Sequence, residues 1–415
     1  MFVREGDLAG VETMERLSGL IAIAREDRAA ALQHFSIAQH LAELQRSRFP
    51  QDQTGQARAG YFARHGFVYE KLVELHLAEG HPREALRFAE LAKARAAQDL
   101  LATLDIAEQD EPVAPRDLDE LLADWPADVA AVEYFLGAER GWGFVIRAGN
   151  VRAFPLVDAQ GRPVATRELV ANVRQRLTEF ELLAEKMNRR MQARQGFDHS
   201  WQDHLFNIRR ILLPDDVLAE LRESPRLIVV PQHILHYLPF AGLVTKRDEV
   251  VRGKNEMVSP RFVVDEPFSL TTTPSLMTWD LIRRRTHGPL NQVRAVGVGE
   301  APYTRPLPGV KQDLQNLRKV YGDKLKLVLQ EGEARESNVK QLLAEPGLLM
   351  FASHGHNDPD RPADSFLIVM ADDSAADGPL NANRETNVAS SRNSSVRGSD
   401  TASHNKVRIN SNSTR

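Results

Sequence analysis

No cysteine occurs anywhere in the 415 residues. That absence excludes disulfides, thiolate zinc sites and a cysteine nucleophile together. Nor does the chain hold an apolar run near the roughly 20 residues that a membrane helix requires. Runs such as Leu227–Pro231 and Leu348–Ala352 are far shorter. The opening MFVREGDLAG sets charges where a signal peptide needs an apolar stretch, so a cytoplasmic location is expected. A net charge of −4 gives no bulk sign of a nucleic-acid or membrane-surface partner, and neither is expected.

What is present is ordinary for a globular protein. Hydrophobic residues make up 42% and charged residues 27%, enough apolar material for a sizeable core. At about 100–200 residues per domain, the length predicts two or three domains. Residues 1–108 read as helices. Tyr69, Leu72, Val73 and His76 recur at helical spacing, and Gly80-His81-Pro82 breaks that helix and starts the next. Small residues at Ala85, Ala89 and Ala92 would let two helices approach closely, and Ala31 and Ala38 echo the spacing. The segment resembles degenerate tetratricopeptide repeats, with a generic helical bundle as the alternative. Such an array offers a groove to a protein or peptide partner.

Residues 109–127 form a proline-containing acidic linker. Over 128–385 the pattern turns to strands and helices. Val129–Leu136, Gly143–Ile146 and Val151–Val157 read as a meander, followed by a long amphipathic helix from Leu169 to Met191. Strands are expected at Leu227–Val230, Val293–Val298, Leu325–Leu329, Leu348–Ala352 and Phe366–Met370, with helices between. The fold class is therefore α/β, a mostly parallel sheet flanked by helices after an all-α segment. Residues 386–415 differ in kind. They hold four Arg, one Lys and one Asp with no Leu or aromatic residue, so disorder is expected there.

In open parallel sheets, ligands gather at the carboxyl ends of strands. Directly after Leu348–Ala352 stands Ser353-His354-Gly355-His356-Asn357-Asp358. Two chemistries fit this cluster. In one, His354 is a general base for a nucleophile on a neighbouring strand, and Gly355 offers its N–H to an oxyanion. In the other, His354, His356 and Asp358 form an H-x-H-x-D metal site of a metallo-hydrolase. That pattern normally continues with His, where Pro359 stands, and needs further ligands where only His404 remains. Neither a metal nor a cofactor is expected. Ser353 precedes the histidine by one residue and would point to the opposite side of an extended chain, so it is not expected to act as a nucleophile. Arg189-Arg190, Arg209-Arg210 and Arg283-Arg284-Arg285 read as solvated helix faces.

Several of these motifs occur together and in order. Ala85–Leu101 and the Val132-Glu133-Tyr134-Phe135 strand come first. Val230-Pro231 with Leu235-His236-Tyr237-Leu238-Pro239-Phe240 follows, then Leu307-Pro308-Gly309, Leu327–Gln330 and Ser353-His354-Gly355. The combination resembles the CHAT domain, a caspase- and separase-like module that follows tetratricopeptide repeats, over about residues 60 to 385. The resemblance implies cysteine endopeptidase machinery in a bacterial-type cytoplasm, with His354 as the base. His236 is expected to be structural. The family's cysteine closes the next core strand, and caspase spacing puts it about 50 residues after the histidine, near His404. No cysteine is there, so the chain is expected to be inactive as a peptidase. A pseudo-peptidase that binds through its helices is the alternative. The pattern is lost near Arg384-Glu385, and the expectation is that a frameshift or a truncation produced the tail.

Overall fold

The computed structural model describes residues 8–47, 55–103, 116–171, 173, 200–247, 249–251, 256–258, 260–284, 292–301, 304–343, 347–356, 366–371 and 379–381. Most of the expected helix over 169–191, part of the linker and the whole of 386–415 lie outside these residues. The chain divides into two compact units, 1–287 and 288–415, and each is described by itself.

The first unit opens with α1 (Leu8–Ala24), α2 (Arg28–Ser47), α3 (Gly55–Ala78) and α4 (Pro82–Thr103). Helix α1 packs on α2, and α3 on α4. The small residues sit where close approach needs them: Ala31, Ala38, Ala85 and Ala89 are fully buried. A Cβ on Gly19 would come within 2.8 Å of the Phe35 ring, so the missing side chain lets α1 reach α2.

After the short helix α5 (Leu118–Ala123) come β1 (Val129–Leu136), β2 (Gly141–Arg147) and β3 (Asn150–Pro155). Then follow α6 (Ser200–Leu212), α7 (Asp215–Leu221) and β4 (Arg226–Val230). Two small hairpin-like pairs, β5 (Val244–Lys246) with β8 (Arg261–Phe262) and β6 (Glu249–Val251) with β7 (Glu256–Val258), lead to β9 (Ser269–Thr272) and α8 (Leu276–Arg284). The main sheet has the order β3-β2-β1-β4-β9. Strands β1 and β4 are apolar on both faces, and alternate residues enter two cores. Ala130, Val132, Tyr134, Leu227 and Val229 meet α6 and α7. Val129, Ala131, Phe135, Ile228 and Val230 meet α4, α5 and α8. Period-two alternation between two covered faces is what makes these strands near-continuously hydrophobic.

This sheet is mixed, which corrects the mostly parallel sheet predicted from the sequence pattern. Strand β1 runs parallel to β4, and β4 to β9, but β1–β2 and β2–β3 are antiparallel. The reason is connection length: Ala148-Gly149 joins β2 to β3, and so short a link can only reverse the chain. Two arginine clusters also depart from the solvated faces expected of them. Arg209 is only 2% exposed, donating to Asp215 and to the Leu213 carbonyl. Arg283 and Arg284 both pair with the buried Asp280. Arg189, Arg190 and Arg285 lie outside the described residues.

A buried polar cluster anchors α4 to β1. Lys93 Nζ donates to Glu133 Oε1 at 2.9 Å and to the Tyr134 carbonyl. On the same helix, the Glu90 carboxylate accepts from the Leu276 and Met277 amides at the start of α8. Burial pushes the Glu133 carboxyl well above the usual range; Glu90 raises it further and Lys93 opposes both.

The second unit carries β10 (Val293–Gly297), α9 (Gly309–Tyr321), β11 (Leu325–Gln330), α10 (Glu336–Leu343) and β12 (Leu348–Ala352). Its three strands are all parallel in the order β11-β10-β12. Ala295 faces Val310 and Leu314 of α9, whereas Val296 faces Val339 and Leu342 of α10, so helices cover both sides. The short strands β13 (Gly355–His356), β14 (Phe366–Ile368) and β15 (Pro379–Asn381) form a separate antiparallel sheet.

Candidate functional site

His354 stands two residues beyond the carboxyl end of β12. Three bonds fix the chain there. The Val298 amide donates to the Ala352 carbonyl at 2.9 Å, Ser353 Oγ donates to the Ile368 carbonyl, and the Ile368 amide donates to the His354 carbonyl at 2.8 Å. The backbone thus leaves the parallel sheet and at once pairs with β14.

The imidazole of His354 is anchored through one nitrogen. Its Nε2 lies 2.6 Å from the Arg305 carbonyl oxygen. A carbonyl can only accept, so Nε2 carries the proton, and in the neutral ring Nδ1 keeps its lone pair. That is the state a general base needs.

Arg305 belongs to the loop between β10 and α9, and this loop is held from two directions. Leu307 donates its amide to the Gly299 carbonyl at 2.7 Å. The Glu331 carboxylate, directly after β11, accepts from the Gly299 and Glu300 amides at 3.0 and 3.3 Å. A Cβ at Gly299 would lie 3.1 Å from Glu331 Oε1 and 3.2 Å from the Leu307 carbonyl, so a side chain there would crowd both neighbours. The carboxyl ends of β10, β11 and β12 therefore converge: β11 supplies Glu331, β10 supplies the loop, and β12 supplies the histidine.

Gly355 is the register partner of Leu367. In an antiparallel ladder, bonded and non-bonded pairs alternate. The Ile368-to-His354 bond makes 354 and 368 a bonded pair, so the Gly355 N–H is turned away from β14. It is exposed and not taken up by that strand.

The second chemistry is not assembled by the described residues. His356 is exposed and stacks on Phe366, with ring centroids 4.9 Å apart. Asp358 lies outside the described residues. Among the described residues, the three-donor cluster of metal-ligating type is elsewhere, at His76, Glu79 and His81. Ser353 is engaged by the Ile368 carbonyl, and His236 sits in a 3-10 turn of the first unit, His233–Tyr237. The sequence pattern missed Arg305, which acts through its carbonyl and so leaves no mark of residue type. It also missed Glu331; the available signal was an acidic residue placed directly after a strand.

No curated protein matches the chain. The family model of the CHAT domain matches residues 202–391, from α6 through β12 and His354, and this supports a relationship with the caspase-like peptidase family.

Proposed function

We propose that this chain carries the histidine half of a caspase-like cysteine peptidase centre and, lacking any cysteine, does not cleave peptides. The observation that carries the reading is the bond from His354 Nε2 to the Arg305 carbonyl at the strand ends. It leaves Nδ1 as the nitrogen that would take a thiol proton. The resulting thiolate would attack the scissile carbonyl, and the Gly355 N–H would donate to the oxyanion that forms. The chain supplies the base and the donor but not the attacking sulfur.

The consequence is a pseudo-peptidase that acts by binding. Residues 1–108, read as tetratricopeptide-like, would meet a protein or peptide partner. In support, Met14, Leu17 and Ile21 of α1 share one face at helical spacing and are 48%, 48% and 53% exposed.

The test is cleavage of a mixed peptide library by the purified full chain, with and without a thiol-alkylating reagent, beside His354→Ala. No turnover above buffer is expected in any arm. Turnover that disappears in His354→Ala would overturn the proposal.

A further inference from the structure

Helix α3 ends in a Schellman turn. The His81 amide donates to the His76 carbonyl at 2.8 Å, and the Gly80 amide to the Leu77 carbonyl at 3.1 Å. Gly80 takes the left-handed conformation that this motif requires, with φ 76°. The motif brings the residue after the glycine back against the last turn of the helix, where two apolar side chains usually meet. Here both positions are histidine. The His76 and His81 rings stand 6.3 Å apart, and Glu79 lies between them in sequence.

The environment suits ligation rather than simple packing. The His76 ring stacks on Phe88, with centroids 5.3 Å apart and planes 14° from parallel, which fixes its position. Its Nδ1 is buried and finds no hydrogen-bond partner among the described residues, a state that native proteins seldom leave unanswered. A surface ion pair explains part of the arrangement, since His81 Nδ1 and Glu79 Oε2 are 3.5 Å apart. It does not explain why a third group, the half-buried His76 imidazole, joins them.

We propose that His76, Glu79 and His81 bind one divalent transition-metal ion, zinc being the natural fit, with water completing the shell. One ligand atom from each residue lies within 4.8 Å of the others. Tetrahedral zinc with bonds of about 2.0–2.2 Å needs donors somewhat closer together, and two histidines with one carboxylate and a water is a common zinc set. Glu79 and His81 are the exposed members, with side chains 30% and 58% exposed, and rotation of these two closes the gap around the anchored His76. Bound metal would staple the α3–α4 turn and so fix the start of the helix that carries Glu90 and Lys93.

The experiment uses the full chain, stripped with a chelator and then dialysed. Zinc is titrated by calorimetry, and cobalt by visible absorption. One equivalent of zinc is expected, with cobalt giving the intense visible bands of a four-coordinate site. Zinc should raise Tm by about a few degrees through preferential binding to the folded state. Replacing His76 risks the packing on Phe88, so the informative variants are the exposed His81→Ala and Glu79→Gln. Both should fold with unchanged circular dichroism, and His81→Ala should bind zinc roughly a hundredfold more weakly or not at all. The double variant His354→Ala/His356→Ala should bind as the parent does. Equal zinc affinity in His81→Ala, loss of binding only in the His354/His356 variant, or no binding by the parent would each overturn the proposal.

Discussion

Glu133 shows how one residue can set a stability profile. Its carboxyl group lies among Ala131, Phe135 and the helices on that face, with Lys93 as its cationic partner at 2.9 Å. Burial, reinforced by Glu90, raises its pKa well above 4.5 in the folded chain. The folded state then binds more protons than the unfolded state between about pH 4.5 and that raised value. The contribution is fully present below the unfolded pKa and is lost as pH rises through the folded one. Urea unfolding midpoints of the parent should fall across that window, and Glu133→Gln should flatten the fall. Parallel profiles for the two chains would refute the assignment. Lys93→Met removes the cation paired with the buried Glu133 and should cost about 3–5 kcal/mol, most of it recovered by adding Glu133→Leu. None of this pairing was legible in the sequence. The Val132-Glu133-Tyr134-Phe135 strand was visible, but Lys93 comes from a different element, and no local pattern points to it. Arg209 was misread for the same reason: its run beside Arg210 looks solvated until Asp215 and the Leu213 carbonyl fold around it.

At the level of elements, period and punctuation were good guides. Leu348–Ala352 was delimited by Pro346-Gly347 before it and Ser353 after it, and β12 has those bounds. Direction and pairing were not legible, because they depend on contacts between distant segments. Val129 lies opposite Arg226, and nothing near either residue announces it. The candidate site depends on such a distant contact. Glu331 holds the Gly299–Glu300 amides, and through that loop it places the Arg305 carbonyl on His354. Glu331→Ala releases two bonds to a charged acceptor and should cost about 1.5–3 kcal/mol. The more telling readout is the His354 ring. Nitrogen NMR of the parent should show the proton on Nε2, and the variant should show a mixture of tautomers. An unchanged Nε2–H signal in Glu331→Ala would mean that the carboxylate does not position the loop.

Across the whole molecule, one missing residue type, cysteine, outweighs the rest of the peptidase resemblance. Enzymes commonly accelerate their reactions by about 10⁶-fold or more. Protease centres stripped of a triad member keep only roughly 10³–10⁴ over water, from the oxyanion site and binding. On the proposed reading, a chain with His354 and the Gly355 N–H but no thiol would fall at or below that residual rate, under the background of ordinary peptide assays. The caspase spacing that the resemblance implies would put a cysteine near His404, about 50 residues beyond the base. The segment before that position offers no apolar run to deliver a side chain to a strand end, since residues 386–415 contain no Leu or aromatic residue. Position in sequence and position in space can therefore be separated by His404→Cys. The variant is expected to carry one thiol that alkylates with the pH dependence of an ordinary cysteine, near a pKa of about 8.5, and to cleave nothing. A catalytic thiol paired with His354 would instead react well below that pH, and peptide turnover would appear with it. That outcome would show that the basic C-terminal segment supplies the missing strand, and the pseudo-peptidase reading would fall with it.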